Sequence, residues 1–209
     1  MNKSILRRAH AIVASSKQVY GSLHQRFKGD LLRPGESGYD DARSIWNGLV
    51  DRTPGLIARC ANVTDVQNAL RAGSETGILT AVRWGGHSLA GFSTCDGGMV
   101  IDLSRMCDVT VDPDTRAARI AGGCLLGSID AATQKAGLVF PSGGVVSHTG
   151  AAGLILGGGT GWLTSNFRCA RRVCGLSRSR CGGLRYRHER AAPGGTVEGV
   201  FTPHKLPLR

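Results

Sequence analysis

A short apolar run that leads straight into a glycine loop constrains this 209-residue chain more than any other feature. Residues 78–82 have the length and apolar character of a buried strand. The loop Arg83-Trp84-Gly85-Gly86-His87-Ser88 follows at once. Paired glycines permit positive φ and a close backbone approach, and successive N–H groups in such a loop form a concave anion site. The pattern predicts a strand whose carboxyl end presents backbone donors to a phosphate-bearing ligand.

A second glycine-rich segment lies at residues 146–161. It is not G-x-G-x-x-G, and no strand–helix unit with a ribose-binding acid follows, so a Rossmann site is excluded. The sequence G-K-[S/T] does not occur, which excludes a P-loop. Either glycine segment alone is weak support for a site. The two in this order, with His87 beside the first, favour one much more strongly.

The sequence between the termini predicts an α+β fold in two parts. Residues 1–27 are expected to form a lead-in helix. Residues 55–82 predict a strand–helix–strand unit, with Thr64 as the helix cap, Gln67 completing a capping box and Gly77 ending the helix. Such a unit usually gives a parallel strand pair with a right-handed crossover. Further on we expect a strand at 99–103, a hairpin of 109–111 with 117–121, and a second helix that ends at Gly137.

Five stretches of the chain resemble one flavoprotein family. They are residues 39–43 with Trp46 and Asn47, and residues 83–88, 96–104, 121–123 and 141–162. In this order they resemble the PCMH-type FAD-binding domain of the vanillyl-alcohol-oxidase and para-cresol-methylhydroxylase flavoproteins. The resemblance is greatest to the berberine-bridge-enzyme-like branch, which includes sugar and alkaloid oxidases.

The resemblance implies a two-subdomain FAD-binding fold that is incomplete in this chain. A small mixed α/β sheet is expected first, followed by a mainly antiparallel sheet with helices. The first subdomain is expected at residues 28–107 and the second at residues 108–166. Arg43, Trp46 and Asn47 are expected to support packing rather than catalysis.

FAD is the cofactor that the resemblance implies, with His87 attached covalently to the flavin, since a neutral imidazole is nucleophilic near physiological pH. Some relatives add a cysteine linkage near the position of Val146, so a single linkage is expected here. Trp84 stands where relatives have Gly or Ser, and positive φ at this position would strain it. For His148, a role as a packed loop histidine is equally open. The expected cofactor-binding residues are Arg83, Trp84, Gly85, Gly86, His87, Ser88, Val146, Ser147, His148, Thr149, Gly150, Gly153, Gly157, Gly158, Gly159 and Gly161.

The composition changes abruptly after Asn166. Residues 167–209 hold ten of the 26 Lys and Arg residues but two of the 15 acidic ones, so most of the net charge of +11 lies in this tail. Its Arg, Gly, Cys and Pro content without regular period is typical of a GC-rich gene read out of frame. We expect a basic, disordered or frameshifted tail after a truncation near residues 164–167. Cys169, Cys174, Cys181 and His188 have spacings that fit no compact zinc site.

The seven cysteines include no C-x-x-C pair, which favours reduced intracellular thiols. No apolar run approaches the roughly 20 residues that span a bilayer, and the basic start lacks the apolar core of a secretion signal. We expect a soluble, cytoplasmic chain that binds neither membrane nor metal.

The leading hypothesis is the FAD-binding portion of a flavin-dependent oxidoreductase that oxidises an alcohol, sugar or amine. A small-molecule substrate and dioxygen are the expected partners of the intact enzyme, with no nucleic acid. Relatives keep their substrate domain and their catalytic tyrosines or acids after this region. No catalytic residue is therefore identifiable, and the chain alone is expected to be inactive. The alternative is a nucleic-acid-binding protein acting through the Arg-rich tail, although no recognisable nucleic-acid module is present.

Overall fold

The computed structural model describes residues 15–141, 144, 146–163, 174–176 and 199–201. Two compact units divide the chain after Arg105. Each unit carries its own four-stranded sheet. Among the described residues, no helix combines the length and apolar character needed to cross a membrane.

Unit 1 is built on a mixed sheet. Its strand order is β1-β2-β4-β3, in which β1 runs antiparallel to β2 and the other neighbours are parallel. Its elements in chain order are α1 (residues 15–23), β1 (Asp30–Leu32), α2 (Tyr39–Arg43), β2 (Leu56–Arg59), α3 (Val63–Thr76), β3 (Thr80–Arg83) and β4 (Met99–Asp102).

The order of these strands corrects one expectation. Strands β2 and β3, which flank α3, are parallel as predicted, but they do not pair with each other, because β4 lies between them. All four residues of Met99–Asp102 are buried, whereas β3 is mostly half-buried. A continuous buried run suits a central parallel strand covered on both faces, and β3 with its polar Thr80 and Arg83 takes the edge.

The start of α3 corrects a second expectation. The helix begins at Val63, and its N-cap is Asn62, whose side-chain oxygen accepts a hydrogen bond from the N–H of Asp65 at 3.0 Å. The predicted capping box at Thr64 is therefore wrong, because Thr64 lies inside the first turn of the helix and the residue with the extended N-cap backbone is Asn62. The predicted end is confirmed, since Gly77 caps the helix at φ 63°.

The carboxylate of Asp65 ties together three chain segments. Asp65 is fully buried. One carboxylate oxygen accepts the N–H of Lys28 at 3.0 Å, and the other accepts the N–H groups of Gly29 at 2.9 Å and Ala61 at 3.0 Å. The side chain thus fixes the start of β1 and the loop after β2 against the first turn of α3.

Unit 2 contains an antiparallel sheet of order β5-β6-β8-β7 and two helices. The predicted hairpin is confirmed, and the second helix ends before Gly137. The apolar core includes Ile120, Leu126, Ile129 and Phe140. The elements are β5 (Val109–Asp112), β6 (Ala117–Ile120), α4 (Leu126–Lys135), α5 (Ala151–Leu156), β7 (Cys174–Leu176) and β8 (Gly199–Phe201).

Strands β7 and β8 fall within residues 167–209, where the composition predicts no regular structure. Each strand has three residues. The rest of that range lies outside the described residues, as does the expected lead-in helix before residue 15. The disordered or frameshifted tail therefore stays a prediction.

The structure describes the side chains of four cysteines, and all four are free thiols. Cys60, Cys95 and Cys124 are buried, and Cys107 is exposed. Burial raises the pKa of Cys60 to about 12 and that of Cys124 to about 11, and it also raises the pKa of Cys95. These three side chains therefore remain protonated thiols at neutral pH.

We predict that iodoacetamide at pH 8 alkylates Cys107 well before the three buried cysteines. The thiolate is the reacting form, and burial suppresses both its formation and its access to reagent. Peptide-resolved mass spectrometry against time measures the four rates. Unfolding in urea is the control and should bring the four rates together. Fast native labelling of Cys60 or Cys124 would contradict the packing described here.

We predict that Asp65→Ala lowers the free energy of unfolding by about 3 kcal/mol or more, because it leaves three backbone donors without their charged acceptor. Glu75→Ala, at an exposed position of the same helix, should stay within about 0.5 kcal/mol of wild type. Urea unfolding followed by tryptophan fluorescence measures both variants. Equal midpoints would show that the Asp65 carboxylate does not hold these segments.

Candidate functional site

The glycine loop, residues 83–88, leaves the sheet at the carboxyl end of β3. Arg83 is the last residue of that strand and lies opposite Asp102 of β4. The carbonyl of Arg83 accepts the N–H of Leu103 at 3.0 Å, just beyond the end of β4. The Arg83 guanidinium donates to the carbonyl of Ala42 in α2. The main-chain carbonyl and the guanidinium of Arg83 therefore both anchor the start of the loop.

The left-handed backbone that the loop requires falls on Gly86. Gly86 has φ 70°, in the region that favours glycine. The only non-glycine residue with positive φ in the described part of the chain is Arg116. The strain that positive φ would impose on Trp84 is therefore absent, and the half-buried indole is compatible with the loop.

The loop presents a row of backbone donors. The N–H groups of Trp84, Gly85, Gly86 and Ser88 donate to no acceptor among the described residues. Backbone N–H groups need a partner when water is excluded, and several in succession form an anion site. The geometry therefore supports the predicted role of this loop towards a phosphate-bearing ligand.

The side chain of Ser88 is engaged inside the chain. Its hydroxyl oxygen accepts the N–H of Phe92 at 3.0 Å, and its carbonyl accepts the N–H of Gly91 at 3.1 Å. These bonds close a turn directly after the loop. The structure thus gives Ser88 a turn-forming role, while its N–H remains among the loop's donors.

Residues 45–53, here called the brace, run along the loop and the turn that follows it. Sequence reasoning missed this role, because the contacts join residues about 40 positions apart and leave no local pattern. Three hydrogen bonds define the contact: Trp46 N–H to the Gly86 carbonyl (3.1 Å), the Asn47 side-chain amide to the Leu89 carbonyl (2.9 Å), and the Arg52 guanidinium to the Thr94 carbonyl (3.0 Å).

The imidazole of His87 stacks on the indole of Trp46. The ring centroids lie 5.2 Å apart and the ring planes meet at 20°. Trp46 is 60% exposed. The packing role expected for Trp46 is thus directed to the loop and its histidine.

Arg43 joins α2 to the brace. Its guanidinium donates to Asp40 at 2.7 Å and also to Asp51. The two carboxylates raise the pKa of Arg43. The ion pairs fix α2, to which the loop is anchored through Arg83, against the end of the brace. They agree with the supporting role expected for Arg43.

The second glycine segment, residues 146–161, lies in unit 2 beside the start of α4. Val146, Ser147 and His148 are exposed. The segment is held by three backbone bonds: Gly127 N–H to the Ser147 carbonyl (2.7 Å), Leu126 N–H to the Thr149 carbonyl (3.0 Å), and Ala151 N–H to the Cys124 carbonyl (2.9 Å).

Most glycines of this segment lie around α5. Gly150 is buried and precedes the helix, and Gly153 lies within it. Gly157 is the C-cap, and its N–H donates to the Gly153 carbonyl at 3.0 Å. Gly158 and Gly159 then take positive φ, and Gly161 ends the segment. The structure therefore brings residues 83–88 together in unit 1 and residues 146–161 together in unit 2.

No metal centre occurs in the part of the chain that the structure describes, where no group of three His, Cys, Asp or Glu side chains could hold an ion. The residues Cys169, Cys174, Cys181 and His188 fall in the tail, and the structure does not describe their side chains. The described candidate residues are backbone donors and one stacked histidine in unit 1 and a separate glycine segment in unit 2.

Comparison with known proteins identifies the family. Residues 54–177 match the family model of the FAD binding domain. (R)-6-Hydroxynicotine oxidase of Paenarthrobacter nicotinovorans is 37% identical over 143 residues, which are 68% of this chain and 31% of that protein. Xylooligosaccharide oxidase of Thermothelomyces thermophilus is 36% identical over 121 residues, 57% of this chain and 24% of that protein.

Solved structures give the same result. The crystal structure of 6-hydroxy-D-nicotine oxidase from Arthrobacter nicotinovorans superposes with a TM-score of 0.78 at 31% identity, covering 87% of this chain and 43% of that one. Xylooligosaccharide oxidase from Myceliophthora thermophila gives a TM-score of 0.80 at 25% identity, covering 91% and 44%. The chain thus spans less than half of each of these relatives. As the sequence predicted, it belongs to the FAD-binding domain family, in the berberine-bridge-enzyme-like branch of the vanillyl-alcohol-oxidase and para-cresol-methylhydroxylase flavoproteins.

Proposed function

We propose that this chain is the FAD-binding part of an oxidase that acts on a small molecule of the alcohol, sugar or amine class, with dioxygen as electron acceptor. The single observation that carries the proposal is the row of backbone N–H groups in the glycine loop. The relatives support the class of substrate, since two of them are named as oxidases of a hydroxynicotine and of xylooligosaccharides.

The residues of the glycine loop fit the pyrophosphate of FAD. Four N–H groups without a described acceptor match the oxygens of an anion. Gly86 supplies the positive φ that the turn of the loop requires. Bound FAD supplies the two-electron redox chemistry, while the loop binds and orients it. The proposed contacts in unit 2 are residues 146–150, Gly153, Gly157, Gly158, Gly159 and Gly161.

His87 is the proposed attachment residue. It directly follows the loop's left-handed glycine, and its ring is held against Trp46. Attachment would join a neutral imidazole nitrogen to the 8α-methyl carbon of the flavin. The imidazole N–H and one methyl C–H bond would be broken, both hydrogens would leave as protons, and the two electrons would pass through the flavin to dioxygen. Residue 146 is a valine, so a second linkage through a cysteine at that position is not proposed.

The part of the relatives that this chain does not match is proposed to hold the substrate site and the catalytic groups, so the chain by itself is inactive. The free thiols of the described cysteines agree with a cytoplasmic location. The relatives named above give no support to the nucleic-acid alternative. That alternative requires salt-dependent retention by nucleic acid which is lost on deleting residues 167–209.

We predict that Gly86→Ala and Gly77→Ala have similar effects on stability but different effects on FAD binding. Both glycines have positive φ, 70° and 63°, so each alanine costs roughly 1–2 kcal/mol. Only Gly86 lies in the loop, so only Gly86→Ala should weaken FAD binding, by about tenfold or more. Urea unfolding and titration of flavin fluorescence measure the two quantities. If both variants bound FAD with equal affinity, the glycine loop would not be part of the FAD site.

We predict that FAD stays with the wild-type chain after acid denaturation and leaves the His87→Ala variant. His24→Ala is the matched control, since it removes an exposed histidine of unit 1. Each protein is expressed with FAD, denatured and separated from small molecules, and flavin fluorescence is measured in both fractions. Flavin found wholly in the small-molecule fraction of wild type would refute covalent attachment and leave a non-covalent FAD protein.

A further inference from the structure

We propose that Trp46 is a positioning residue for His87. Its indole face holds the imidazole in one orientation at the end of the glycine loop. The inference rests on the proposed function, in which His87 is the attachment residue. The side chain that orients the imidazole would thus come from a residue 41 positions earlier in the chain.

The ring geometry is that of an attractive aromatic pair. Centroids 5.2 Å apart and planes at 20° lie within the range of offset stacking. A stacked neighbour limits rotation of the imidazole about its two side-chain torsions. The stack therefore selects among orientations that the backbone of His87 alone would leave open.

The exposure of Trp46 separates this role from ordinary packing. A tryptophan placed for a core contact is largely buried, whereas Trp46 is 60% exposed and lies outside the core clusters. Its indole instead contacts one polar and chemically reactive ring, the imidazole of His87. Leu49, three residues on, is 95% exposed and offers a matched apolar side chain without that contact.

The backbone holds the two rings in register. Trp46 donates its N–H to the carbonyl of Gly86, the residue before His87. Asn47 donates its side-chain amide to the carbonyl of Leu89, two residues after His87. The stack thus lies between two hydrogen bonds that join the brace to the loop. A change confined to the indole removes the ring contact and keeps both bonds.

Binding and attachment should therefore respond differently. The pyrophosphate is held by loop N–H groups that no substitution of the indole removes, so the Kd for FAD should change less than twofold in Trp46→Leu. Attachment needs the imidazole in place, and a misplaced reacting group slows a reaction steeply. We expect the attachment rate to fall about tenfold or more in Trp46→Leu, and to recover in Trp46→Phe, which keeps a ring that can stack.

The stack itself is measured without FAD, on the whole 209-residue chain. NMR of the histidine rings, with His87 assigned from its loss in His87→Ala, reports the environment of the imidazole. Protons over an indole face are shielded, so Trp46→Leu should move the His87 signals downfield. Leu49→Ala should leave them in place.

The second measurement follows attachment over time. Wild type, Trp46→Leu, Trp46→Phe and Leu49→Ala are incubated with FAD, and the flavin that survives acid denaturation is measured in each sample. The proposal is overturned if the His87 signals of Trp46→Leu match wild type, or if its attachment rate does. If the wild-type chain takes up no FAD at all, the proposed function fails and the positioning role fails with it, whatever the NMR shift. If FAD binds but does not attach in wild type, attachment through His87 and the positioning role of Trp46 are both refuted, while the FAD-binding function stands.

Discussion

The parallel register that β4 makes with both of its neighbours fixes where the glycine loop leaves the sheet. Arg59 of β2 and Arg83 of β3 both lie opposite Asp102 of β4. Asp102 is buried, accepts the N–H of Ser104 at 2.9 Å, and has its Oδ2 3.7 Å from Nε of Arg59. A slip of one residue would move the buried carboxylate of Asp102 away from these partners. The carboxyl ends of the three strands are therefore level, and the loop begins at that level.

The carboxyl end of β3 fixes where the glycine loop lies, whereas the brace fixes the conformation of the loop. Backbone donors point usefully at an anion only if the loop is held in one conformation, and a glycine-rich loop is costly to order. Hydrogen bonds from Trp46, Asn47 and Arg52 reach the carbonyls of three positions between the loop and the residues after it, which are Gly86, Leu89 and Thr94. Arg83 anchors the first residue to α2. Much of the ordering is thus complete before a ligand arrives, which favours affinity.

The sequence predicted what depends on local pattern. Apolar runs identified the strands from β2 to β6, Gly77 the end of α3, and glycine motifs the family and the loop, because each signal lies within a few residues, whereas β1, β7 and β8 were not predicted. The order of the sheet was not predictable in this way, since pairing of β4 between β2 and β3 is a non-local choice. The N-cap was misplaced because Asn62 and Thr64 are both good caps and only the fold selects between them. The brace and the Trp46–His87 stack were missed for the same reason, as their partners lie about 40 residues apart.

The main chain and the side chains of the glycine loop have different roles. This difference explains which positions of the loop can carry different residue types. An anion held by N–H groups does not depend on the side chains that follow them, so residue 84 can carry an indole as long as its φ stays negative. Gly86 has no such freedom, because its φ of 70° is a requirement of the turn. His87 is constrained in a third way: its backbone is held with the loop, but the direction of its ring is set by side-chain contacts. Within one short loop, binding an anion thus depends on backbone conformation, whereas presenting a reactive nitrogen depends on a ring supplied from the brace.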